Sequence, residues 1–186
     1  MKLFARTLEE ADLYVDLECE AVGEVPKSRK KRTVERRRKP VLVYEIRCES
    51  GKLLEFEFED GGLPDAKPGL RRKVEFGGAS PSLLIDAGEW MKVADRHQAK
   101  APKSVAGLSE RARRDAKRDM QIAVAALQEV MKFLPAGADR VSSTSLLNAR
   151  GKAYFNKDVR RFQRSALQAQ LEDFQARLRR YESSRL

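Results

Sequence analysis

An α+β fold, with a small antiparallel β-sheet followed by an α-helical hairpin, is the architecture this sequence predicts. Three observations carry it. Apolar and charged residues alternate over 41–58, apolar residues recur at three- and four-residue spacings over 112–134 and again over 162–181, and Ala101-Pro102-Lys103-Ser104 separates the two patterns. The division expected from this is a β-rich lobe over 1–98, with a basic arm at 27–39, and a helical lobe over 104–186.

Taken in order, Thr7-Leu8-Glu9-Glu10 fits a capping box and predicts a helix over 8–17. Leu13, Val15, Leu17 and Cys19 alternate with polar neighbours, so a half-buried strand competes with it. After the arm, Leu42, Tyr44, Ile46 and Cys48 share one face of a strand, Ser50-Gly51 supplies a turn, and Leu54, Phe56 and Phe58 alternate with glutamates. That is a β-hairpin with one wet face. A third strand is expected over 71–76, entered through DGGLPDAKPG.

Asp86-Ala87-Gly88-Glu89 has the spacing of a helix start, with Trp90, Met91, Val93 and Ala94 as the buried side of a helix over 87–98. Ser109 caps a long helix carrying Ala112, Ala116, Met120, Val124, Leu127, Met131 and Leu134, ended by Pro135 and Gly137. The last helix, from about residue 158, carries Phe162, Leu167, Leu171, Phe174, Leu178 and Tyr181. The two long helices are expected to pair antiparallel, with a short helical turn over 145–149 between them.

The chain has 186 residues with 38 Lys and Arg against 28 Asp and Glu, a net charge of +10, and its excess charge is local. Residues 27–39, KSRKKRTVERRRK, hold nine basic residues and one acidic. Residues 100–186 hold nineteen basic and nine acidic, whereas 1–26 and 40–99 are acidic overall. Nine cations in thirteen residues repel one another, so the arm is expected to be mobile when free, and Thr33 and Val34 leave a long basic β-hairpin as the alternative. Such a density neutralises phosphates and releases their counterions, and the bland reading is a solvated loop whose charge only aids solubility, or one that folds back on the acidic body. Further cations cluster at Arg111, Arg113, Arg114, Lys117 and Arg118 and at Arg160, Arg161 and Arg164.

Several chemistries lack their residues. The longest apolar run, Ile122 to Leu127, is too short to span a bilayer, so a cytoplasmic chain with no membrane partner is expected. There is no GxSxG elbow, Walker-type loop or GxGxxG fingerprint, and His97 is the only histidine. Asp86 and Glu89 could form an acid–base pair, but capping explains their spacing. The loop Gly77-Gly78-Ala79-Ser80-Pro81-Ser82 could offer amides to an anion, though it reads equally as a plain turn. Cys19 and Cys48 are too few for a four-ligand zinc site, and no metal or cofactor is expected.

The surroundings of those cysteines, Cys19-Glu20-Ala21-Val22-Gly23-Glu24 and Cys48-Glu49-Ser50-Gly51-Lys52, look like two zinc-ribbon knuckles of the CPxCG form with Val22 and Gly51 in place of the second cysteines. Together with the GGxxPSxLIDAGEW segment from Gly77 to Trp90, the chain resembles an uncharacterised group of bacterial proteins with a zinc-ribbon-like front and a helical back. The resemblance implies a ribbon-type platform that no longer holds metal, and it implies no activity.

The function expected is a non-catalytic binding protein that engages an anionic partner, nucleic-acid backbone first, through Lys27, Arg29, Lys30, Lys31, Arg32, Arg36, Arg37, Arg38 and Lys39. The alternative is an adaptor, immunity or assembly factor that holds an acidic protein. A small-molecule substrate is not expected.

Overall fold

The structure, a computed structural model, describes residues 3–36, 38–59 and 74–183. It has a three-stranded antiparallel sheet followed by helices, an α+β fold. The described residues divide into two compact units: the first takes in everything up to Glu59 with Glu75–Gly78 and Ser82–Leu84, the second Val74, Ala79–Pro81 and residues from Ile85 onward.

The first unit opens with helix α1, Leu8–Ala21, whose Thr7 cap accepts the Glu10 amide at 3.1 Å. Glu10 does not close the other half of the capping box. Fully buried, it accepts the Arg6 amide at 2.6 Å and the Arg6 guanidinium at 2.7 Å, so its charge is matched before it leaves water. The helix wins over the competing strand because Ala11, Val15 and Cys19, four residues apart, make one buried face. It runs four residues past the predicted end, to Val22 and Gly23 at φ +70°, where the Glu24 amide bonds back to the Cys19 carbonyl. Cys19 therefore belongs to a helix turn.

Strands β1 (Pro26–Arg36), β2 (Lys39–Cys48) and β3 (Leu53–Glu59) pair in the order β1-β2-β3. The predicted β2–β3 hairpin is present in register, with Tyr44 opposite Phe56 and Leu42 opposite Phe58. On that face Tyr44, Ile46 and Phe58 are fully buried, each worth about 1.5–3 kcal/mol. The Tyr14 ring of α1 meets Phe56 and Phe58 edge-on, with centroids 6.4 and 6.0 Å away. Leu3 bridges to Phe58 and closes the outer edge of β3 there. The third strand expected at 71–76 is not one: Val74–Phe76 lie outside any strand, and its other residues and DGGLPDAKPG fall outside the described residues. The basic segment itself supplies the third strand.

The second unit holds helices α2 (Ala87–Lys100), α3 (Glu110–Lys132), α4 (Ala149–Lys157) and α5 (Arg164–Ser183). α2, expected from sequence to belong to the front lobe, packs on α3 and goes with the helices. α3 and α5 run antiparallel: Lys117 near the start of α3 pairs with Glu182 at the end of α5, while Arg164 at the start of α5 donates to the Pro135 and Ala138 carbonyls just past α3. The expected short turn at 145–149 is a 3-10 turn, Ser143–Ser145, followed by α4, which packs on α2. The helix expected from residue 158 begins instead at Arg164, after a 3-10 turn over Val159–Phe162.

Candidate nucleic-acid interface

The basic segment forms the ribbon hairpin, the second of the two conformations open to it. β1 pairs with β2 from Pro26↔Cys48 to Arg36↔Lys39, with an irregularity between Pro26 and Ser28 that contains Lys27. Just before β2, Arg38 takes φ +62°. Arg37, named with the others from sequence, lies outside the described residues.

Strand alternation divides the remaining cations between two faces. Arg29 and Lys31 stand opposite Ile46 and Tyr44, on the face that carries α1. Arg29 binds Asp12 at 3.0 Å and also Asp16, and Lys31 reaches Asp12 at 2.7 Å from above the Tyr44 ring. Burial draws the Arg29 pKa down, but Asp16 and Asp12 more than offset it, so this guanidinium is held above its ordinary value. Burial, with Asp12 beside it, pushes the Tyr44 hydroxyl up. On the opposite face Arg32 pairs with Glu45 at 2.8 Å and Glu55 at 3.9 Å, and Arg36 pairs with Glu57 at 2.5 Å. These carboxylates explain why so charged a strand stays folded: each exposed pair contributes about 0.2–1 kcal/mol, and the β2 ladder supplies the rest.

Four of the nine are thus occupied within the first unit. The exposed side chains of Lys27, Lys30, Arg38 and Lys39 make no hydrogen bond or ion pair among the described residues. Arg47 joins them. Opposite Ser28 and on the face of Lys30, it is exposed and equally unpartnered. Treating the arm as a contiguous run leaves Arg47 out, although the alternation of β2 already places it opposite to Ile46.

The helical cations divide in the same way. Arg114 pairs with Glu110 at 2.9 Å, Lys117 with Glu182 at 3.4 Å and Arg111 with Asp115 at 4.0 Å. Arg161 grips Asp95 through two bonds of 2.7 and 2.8 Å, with the Tyr154 hydroxyl donating to the same carboxylate. Burial, then that bond, pushes Tyr154 up to about 12. Arg161 and Arg164 therefore bind α2 and the end of α3 to the rest of the second unit.

The residues considered for catalysis are also engaged. Fully buried Asp86 accepts the Gly88 and Glu89 amides at 2.9 and 3.0 Å, capping α2, and with its other oxygen the Leu147 and Asn148 amides at 2.9 and 3.3 Å. Glu89 accepts Asn148 Nδ2 at 2.7 Å and Arg150 Nε at 2.9 Å. Gly88 and Gly151 touch backbone to backbone: a Cβ on Gly88 would stand 2.7 Å from the Gly151 carbonyl carbon, and one on Gly151 would strike the Asp86 carboxylate. His97 Nδ1 lies 2.7 Å from Asp119 Oδ1, joining α2 to α3. Burial lowers its pKa against the opposing pull of that bond.

In the 77–82 loop the buried Ser82 hydroxyl accepts the Leu84 amide. Cys19 and Cys48 are buried free thiols. Burial and then the neighbouring thiol raise Cys19, and burial and then Glu24 raise Cys48, which leaves both protonated and unreactive at neutral pH. Among the described residues no group of three or more His, Cys, Asp or Glu gathers to hold a metal ion, and no helix is long and apolar enough to cross a membrane.

No family model, curated protein or solved structure matches the chain. Its chemistry therefore rests on the side chains themselves.

Proposed function

We propose that this protein is a non-catalytic binder of an anionic partner, the phosphate backbone of nucleic acid, and that the β1–β2 hairpin is its contact surface. One observation carries the reading: among the described residues, Lys27, Lys30, Arg38, Lys39 and Arg47 have no carboxylate partner, on a hairpin where Arg29, Lys31, Arg32 and Arg36 each have one. Lys and Arg presented in this way bind phosphate without selecting a base sequence. The capping duty of Asp86 and the ion pair of Glu89 support a role without catalysis.

The test is the ratio of nucleic-acid to protein ultraviolet absorbance of the chain purified at low and then at high salt, with a gel-shift titration on mixed-sequence DNA and RNA. Nucleic acid shed only at high salt, and rebound on dialysis, is the expected result. A preparation free of nucleic acid at low salt, with no shift at micromolar protein, refutes the proposal.

A second reading is favoured by the outer edge of β1, which pairs with no strand among the described residues. An extended acidic segment of another protein could add to that edge, its carboxylates meeting the same cations. Co-purification with one protein and no nucleic acid would support it.

A further inference from the structure

The hairpin cations without a partner among the described residues fall into two groups. At its root stand Lys30 and Arg47, with Lys27 in the irregularity beside them; at its tip stand Arg38 and Lys39. Between them Lys31 is neutralised by Asp12 and Arg32 by Glu45, while Arg29 beside Lys30 is held by Asp12 and Asp16, and Arg36 on the Lys39 rung by Glu57. Lys30 pairs six positions along β1 from the Arg36↔Lys39 rung, and Arg47 lies eight along β2 from Lys39. At about 3.4 Å per residue the two groups stand roughly 20–27 Å apart.

Lys30, Arg47 and Lys39 also share one face. Register sets Lys30 opposite Glu45, Ser28 opposite Arg47 and Arg36 opposite Lys39, all on the side away from α1. On that face Val41 and Val43 are buried, while Lys30, Arg32, Arg36, Lys39 and Arg47 are exposed. β3 adds Glu55 and Glu57 two strands over. A polyanion is thereby attracted to the two ends of the hairpin and repelled from β3. Glu59, opposite Val41, is a further β3 acid on this face near the tip, whereas Glu35 projects to the other face, opposite Pro40.

We propose that the hairpin is a two-point clamp for a nucleic-acid double helix, one rod touching root and tip together. This rests on the polyanion reading above and adds the form of the ligand. A mononucleotide, free phosphate or short stem reaches one group only. A duplex of about six to eight base pairs, at 3.4 Å each, is the shortest that reaches both, and it spans the gap without the ordering cost of a flexible single strand. Engaging the second group then becomes intramolecular, so affinity rises far more than the added charge alone provides.

The experiment measures fluorescence-anisotropy affinities of the full chain for hairpin-closed DNA and RNA stems of 4, 6, 8 and 12 base pairs. It is repeated with a root variant (Lys30→Ala with Arg47→Ala) and a tip variant (Arg38→Gly with Lys39→Thr). Circular dichroism confirms that each variant folds, and the length series on the unaltered chain stands if one does not.

The expected result is a step in affinity between the 4- and 8-base-pair stems. Each variant should lose more than about tenfold on the 12-base-pair stem and less than about threefold on the 4-base-pair stem, where either group alone suffices. A smooth rise with stem length and equal losses on long and short stems overturns the clamp while leaving phosphate binding standing. Binding of no stem by the unaltered chain removes the underlying reading instead.

Discussion

Raising monovalent salt from 50 to 200 mM should weaken binding to a mixed-sequence duplex by roughly 500-fold, because each phosphate neutralised contributes about 0.9 to the log–log slope. The magnitude follows from the hairpin. Among the described residues of the hairpin only Lys27, Lys30, Arg38, Lys39 and Arg47 have no carboxylate to leave, so the slope expected from them is about −4.5. Engagement of all nine basic residues at 27–39 would give about −8 and a loss approaching five orders of magnitude over the same interval.

The measurement is a set of anisotropy titrations across that salt range on the unaltered chain, Lys30→Ala and Arg29→Ala. Lys30→Ala should bring the slope up by about 0.9, whereas Arg29→Ala should leave it nearly unchanged, since Asp12 and Asp16 already hold that guanidinium. A slope near −8, or equal effects of the two variants, would show that the internal ion pairs open on binding and would refute the division into paired and free cations. A slope near zero would refute the phosphate contact itself.

Further expectations concern the scaffold. Gly88→Ala should destabilise the second unit by about 3 kcal/mol, since the new methyl group must push apart backbones that now touch; a melting temperature within about 2 °C of the parent would contradict the contact. Asp86→Ala strands four amide donors and should likewise cost about 3 kcal/mol in a denaturant melt; an unchanged midpoint would free that carboxylate for another role. Arg38→Gly should stabilise the chain by up to about 1 kcal/mol, by relieving left-handed backbone, while weakening duplex binding, opposite signs that a purely structural arginine would not produce. Because the folded pKa of His97 lies below its unfolded value of about 6.5, the folded state takes up fewer protons. Stability should therefore be full above that pH and decline as pH falls below it, a dependence that His97→Gln should flatten.

The regions of the fold legible in sequence are those where one face meets an apolar core. Leu42, Tyr44 and Ile46 against Phe56 and Phe58 announce a hairpin by alternation alone, and Asp86 and Ser109 announce helix starts by their side-chain oxygens. α4 is hidden because Gly151 sits inside it. The glycine weakens the helical pattern, yet only a residue without Cβ fits against Asp86. The front lobe reads as too long because α2 has a strong amphipathic pattern of its own, and sequence does not say which helix its apolar side meets.

β1 is ambiguous for a different reason. KSRKKRTVER has no apolar alternation, and its strand conformation depends on carboxylates that come from α1, β2 and β3, distant in sequence. For the same reason the candidate site is legible as a charge density but not as a selection. Which cations are free is decided by which rung each occupies and which acid stands beside it.

Leu3 covers the outer edge of β3 at Phe58, so among the described residues the longest open rim belongs to β1. A bare rim eleven residues long is a template on which copies of a chain stack into fibrils. Two molecules meeting there would set lysine and arginine against lysine and arginine, and their repulsion holds them apart. That protection is conditional, because whatever neutralises the rim also removes the repulsion. A polyanion in near-stoichiometric amount should therefore drive this protein toward co-assembly, and an excess of it should disperse the particles again.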